Sequence, residues 1–122
     1  MAKPTYQDAM LMIQMAQLGA VSGNQKASAF IWSDKFVADY KEFSNKYPPG
    51  SEEYSYLNQI CGWYEILGTL FKHDLFNPEL LFDWLLVSGV WDRVKGFALG
   101  VREEAKAPAL FENFEAMAKA QK

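Results

Sequence analysis

Residues 52–72 read Glu-Glu-Tyr-Ser-Tyr-Leu-Asn-Gln-Ile-Cys-Gly-Trp-Tyr-Glu-Ile-Leu-Gly-Thr-Leu-Phe-Lys. Leu57, Ile60, Tyr64, Leu67 and Phe71 recur in a three-four rhythm, and Trp63, Ile66 and Leu70 widen the apolar arc. At roughly 100° per residue, only Asn58, Glu65, Thr69 and Lys72 collect on the far side. A helix with so wide an apolar arc must be touched by neighbours on most of its surface, so this segment is the expected centre of an all-α fold. Its ends are marked. Pro48-Pro49-Gly50 cannot continue a preceding helix, Ser51 offers a cap hydroxyl, and Glu52 and Glu53 place acids in the first turn. His73-Asp74 ends it.

Upstream, Thr5-Tyr6-Gln7-Asp8 has the form of a capping box and predicts a helix to about Val21, with Tyr6, Met10, Ile13 and Ala20 on its inward face and Ser22-Gly23-Asn24 as its stop. Trp32, Phe36, Tyr40, Phe43 and Tyr47 then fall at spacings of four, four, three and four, which predicts one amphipathic helix over 25–46. Downstream, Asn77-Pro78-Glu79 supplies a cap, a proline at the first helical position and an acid, opening a shorter helix that carries the apolar run Leu80 to Val87. A fifth helix is expected over 90–106 with Trp91, Val94, Ala98 and Val101 inward; Gly96 and Gly100 there mean either close helix contact or a kink. Pro108 opens the last helix, with Leu110, Phe111, Phe114, Met117 and Ala118 at helical spacing. No segment combines apolar-polar alternation with hairpin dipeptides, and there is no internal repeat. The expected architecture is a compact single-domain bundle of five to six helices over residues 1–122.

The chain's 122 residues are 50% apolar and 22% charged, and nine Phe, six Tyr and four Trp give an aromatic content of 16%. That load supports a sizeable core and excludes a disordered chain. Net charge is −3, with Lys and Arg scattered singly, so no concentrated positive field exists to neutralise phosphates and nucleic acid is not an expected partner. One cysteine, Cys61, cannot build a disulfide framework and reads as a small buried hydrophobe of a reducing compartment, the cytoplasm. The apolar stretch from Ala9 to Val21 is interrupted by Gln14 and Gln17 and is too short for a membrane span; Asp8 and the glutamines also spoil a leader's apolar core.

Catalytic constellations are scarce. A nucleophile of the Ser-His or Cys-His kind needs an imidazole, and the single histidine, His73, sits where its partial positive charge complements a helix's carbonyl end. No second ligand stands at helical spacing from it, so no metal or other cofactor is expected. Glu65 could be a carboxylate of raised pKa for acid-base work, but its place on the polar strip makes a hydrogen bond to a neighbouring helix the better expectation. Arg102 lies on the otherwise inward side of its helix and must find an acid or reach out to solvent. Glu65 is the proposed partner in an interhelical clasp, with Asp83, Glu112 and Glu115 as alternatives. The aromatic excess points to an exposed apolar patch, for which Trp32 with Phe36 and the Leu81, Trp84 and Leu85 face are the candidates.

The run from Leu57 through Phe114 resembles a family of uncharacterised prokaryotic helical domains of unknown function. The resemblance rests on Tyr64-Glu65-Ile66-Leu67-Gly68, on Pro78-Glu79-Leu80-Leu81, on Trp91 with Arg102 eleven residues later, and on Phe114-Glu115; it covers mainly residues 57–115. It implies a helical domain, often placed behind one or two N-terminal membrane spans, with no established catalytic residues. This chain departs by carrying no such span, and by reading His73-Asp74-Leu75-Phe76-Asn77 where the family tends to have a glycine and an acid. The resemblance raises Glu65, Trp91 and Arg102 as the positions that matter. Together these readings point to a non-enzymatic protein-binding or scaffolding domain, with a homodimer as one form. The alternative is a small-molecule sensor or enzyme whose interhelical pocket is anchored by Glu65 and Arg102.

Overall fold

The computed structural model describes residues 2–121, and within them the chain forms seven helices and no strand: α1 (Tyr6–Ser22), α2 (Asn24–Ile31), α3 (Tyr40–Lys46), α4 (Glu52–Lys72), α5 (Pro78–Trp84), α6 (Val87–Glu104) and α7 (Glu112–Ala120). α4 is the axis. It packs most extensively on α7 and α2, and also meets α6 and α1, burying Leu57, Ile60, Cys61, Trp63, Tyr64 and Leu67. The caps read from sequence form where expected: Thr5 and Asp8 make a reciprocal capping box, Ser51 Oγ accepts the Tyr54 N–H at 3.1 Å, and Asn77 Oδ1 accepts the Leu80 N–H at 3.1 Å.

The count rises from five or six to seven because the segment 25–46 is not one helix. Ser33 turns its hydroxyl back to the Phe30 carbonyl at 2.7 Å and accepts the Lys35 N–H at 3.2 Å, ending α2; Asp39 then caps α3 by accepting the Glu42 N–H at 3.0 Å. Short polar side chains that bond their own backbone outcompete continued helix here. The break folds the aromatic stripe back on itself, so Phe30, Phe36 and Phe43 meet with ring centroids 5.8–6.3 Å apart instead of lining one face. Two further boundaries move. α6 begins at Val87 rather than near 90, and the last helix begins at Glu112 rather than at Pro108, because Phe111 is left-handed at φ 60°.

α1 is rotated relative to expectation. Its buried edge is Met15 and Gly19, flanked by Leu11 and Met12, whereas Tyr6, Met10, Ile13 and Ala20 face outward. Met15 supplies the anchor: its carbonyl accepts the indole N–H of Trp63 at 3.0 Å, and Gly19 leaves no room for a side chain against Asn24 and Trp63. Gly96 and Gly100 mark close contact, since a Cβ on Gly96 would strike the Ala38 carbonyl and one on Gly100 the ring of Tyr40.

Candidate functional site

Tyr64, Glu65, Gly68, Trp91 and Arg102 converge on one place, the start of α7. Gly68 on α4 lets the α7 backbone approach so closely that an added Cβ would lie 2.5 Å from the Asn113 carbonyl. The first turn of α7 has no local side-chain cap, because its N-cap position is Phe111. Glu65 fills that role from another helix: one carboxylate oxygen accepts the Phe114 N–H at 2.8 Å, and the other accepts the Asn113 amide at 2.9 Å. A carboxylate at a helix N-terminus satisfies an orphan donor and complements the helix dipole. Phe114 is fully buried, stacked on Tyr64 at 4.9 Å and met edge-on by Trp91 at 5.0 Å. Burial pushes the Tyr64 phenol up to about 12.

Arg102 holds the other side of the same junction. Its Nε donates to the Leu110 carbonyl at 2.9 Å, and one terminal nitrogen donates to Glu115 at 3.0 Å. Burial alone raises the Glu115 carboxyl, but hydrogen bonds from Arg102 and Lys119 outweigh it and hold it below its usual range. The clasp therefore exists with a different acid: Arg102 pairs with Glu115, and Glu65 bonds α7 directly. The second terminal nitrogen of Arg102 is buried with no hydrogen-bond partner. The hollow of about 430 Å³ beside Arg102 is lined by Leu99, Glu103, Lys106, Ala107 and Pro108, and Glu65 is not among its lining residues.

The expected interface residues separate. Phe36 and Leu81 are core residues, Phe36 drawn in by the fold-back after α2 and Leu81 as the inward residue of α5, so neither is available to a partner. Trp84 and Leu85 are half-buried, with Trp84 stacked against Phe76. Trp32 is 55% exposed and roofs Arg93.

Arg93 escaped the sequence reading. It donates from Nε to the Ile31 carbonyl at 2.6 Å and from a terminal nitrogen to the Ser33 carbonyl at 3.1 Å, capping the C-terminus of α2 from α6, with its guanidinium over the rings of Trp32 and Phe36. Gln121 escaped too. Its amide accepts the Ser88 N–H at 2.8 Å, at the start of α6, which has no local side-chain cap, and donates to the Leu85 carbonyl at 2.9 Å, at the end of α5. The only sequence signal was negative: Leu86 and Phe111 stand where a Ser, Asp or Asn would be the ordinary cap.

His73 is an exposed C-cap residue of α4, and among the described residues no three His, Cys, Asp or Glu side chains gather as metal ligands. No helix among them is long and apolar enough to cross a membrane. The family described as Domain of unknown function (DUF4760) matches residues 4–121, well beyond the 57–115 on which the sequence resemblance stood, and the chain belongs to that family. No curated protein and no solved structure matches it.

Proposed function

We propose that this member of a family of unknown function is a non-enzymatic protein-binding domain that docks through the outer face of α1. One observation carries the reading: of the ten large apolar side chains that stand exposed among the described residues, five lie on α1, namely Tyr6, Met10, Ile13, Leu18 and Val21, with Tyr6 at 81% and Val21 at 88% exposure. The polar residues the sequence had nominated support the same reading, because Glu65 and Arg102 are occupied in holding α7. The other five exposed apolar residues, Trp32, Ile66, Leu75, Leu86 and Leu99, are spread over different parts of the fold. We also place the domain in the cytoplasm, a reading supported by its single cysteine, Cys61, standing free and buried.

The test is a photo-crosslinking amino acid at Met10 in the native host, with the same group at the exposed Asn45 as control. A discrete protein adduct from position 10 that disappears when Ile13→Glu is added supports the reading. Equal labelling from both positions, or none from position 10, removes it.

A further inference from the structure

Local penalties gather at the link between α6 and α7. Among the described residues three non-glycine residues have left-handed backbone, and two of them, Lys106 at φ 53° and Phe111 at φ 60°, bracket that link. The one buried side-chain nitrogen or oxygen without a hydrogen-bond partner among those residues belongs to Arg102, which spans the link by bonding the Leu110 carbonyl and Glu115. Left-handed backbone crowds a Cβ against the neighbouring carbonyl, and an unpaired buried donor forfeits its hydration. All three penalties fall within residues 102–111, and all three are relieved when α7 comes away from the bundle. Backbone outliers of this kind concentrate where a fold switches.

We infer that α7 is a releasable strap: it leaves the groove between α4 and α6 as one unit, while the rest of the bundle stays folded, and so uncovers Tyr64 and Trp91. The two groups of aromatic rings separate in the way this requires. Phe114 pairs only with Tyr64 and Trp91, whereas Phe30, Phe36, Phe43, Tyr54 and Phe97 pair among themselves. α6 keeps its place without α7, because Phe97 meets Phe43 and Tyr54 edge-on and Arg93 bonds the carbonyls that end α2. α7 itself buries three of its nine residues, Phe114, Met117 and Ala118, and its first turn borrows its cap from Glu65. Helices shorter than roughly 12–15 residues are marginal alone in water, so α7 melts as it leaves and its amides open to solvent together.

The experiment is residue-resolved amide hydrogen exchange of the full chain, followed by NMR, beside Ile31→Val, Lys106→Gly and Lys106→Ala. In the natural sequence the Phe114, Met117 and Ala118 amides are expected to share one level of protection, at least about a hundredfold below that of Leu57 and Ile60 in α4. Ile31→Val trims a fully buried residue of α2. It should speed exchange at Leu57 and Ile60 severalfold and leave the α7 amides unchanged, because the released state keeps that core. Lys106 is exposed, and Lys106→Gly removes the crowding there; it should slow all three α7 amides about threefold, whereas Lys106→Ala, which keeps the Cβ, should not. α7 amides that speed up with Ile31→Val by the same factor as those of α4 open only in global unfolding and overturn the strap. Protection that falls away only towards Ala118, with Phe114 as slow as α4, is fraying and overturns it too. Lys106→Gly without slowing removes the link as the source of release.

Discussion

At Glu65 the carboxylate gives α7 what its own sequence lacks, an acceptor for the first-turn N–H groups. Glu65→Ala leaves the Phe114 N–H and the Asn113 amide without this partner and should cost about 1–3 kcal/mol in chemical denaturation, whereas Glu65→Gln keeps one acceptor and should cost about half as much. Equal losses for both would mean that the carboxylate is not acting as a cap. Two neighbours titrate against folding at opposite ends of the pH scale. The Glu115 carboxyl lies below its usual range when folded, so its contribution is present above the unfolded value, near 4.5, and is lost as pH falls through the folded value. Glu115→Gln should therefore flatten the acid limb of a stability profile. Tyr64 is raised to about 12 when folded against 10.0 unfolded, so its contribution is complete below about pH 10 and lost as pH rises towards 12. Tyr64→Phe should leave neutral stability nearly unchanged and remove an alkaline loss on the order of 2 kcal/mol; an unaltered alkaline limb counts against the burial argument.

Individual elements were legible where their caps are local and illegible where they are borrowed. Thr5, Ser51 and Asn77 announce α1, α4 and α5 because each bonds a backbone N–H three residues ahead. The split between α2 and α3 had its signals in Ser33 and Asp39, which the aromatic periodicity overrode, since 3.6-residue spacing persists by chance across a break. On α4 two glycines six residues apart have opposite meanings. A Cβ at Gly62 meets nothing within 4 Å, so Gly62→Ala should stabilise by up to about 1 kcal/mol through helix propensity; Gly68→Ala forces α7 away and should destabilise by more than the same change at Gly62 gains. Paired thermal melts check this, and two variants of like sign would refute the packing account of Gly68.

Across the whole molecule, both chain ends are fastened to the two ends of α5. The amide of Asn77, the cap residue of α5, donates to the Ala2 carbonyl at 2.8 Å, and Gln121 grips the Leu85 carbonyl and the first turn of α6. Gln121→Ala should lower stability by about 1–3 kcal/mol despite lying at a chain end, where substitutions are ordinarily near neutral; an unchanged melting temperature would show that the tie is not formed in solution. By itself the sequence determined the helical class, the central place of residues 52–72 and most helix starts, because these follow from periodicity and local capping. Only the tertiary structure decided that Arg102 takes Glu115, that Arg93 and Gln121 close helix ends far from them in sequence, and which side of α1 is covered. α1 is nearly as apolar on one side as on the other, so its own pattern cannot choose between them. The choice falls to the space Gly19 leaves and to the indole of Trp63, 48 residues away, bonding the Met15 carbonyl.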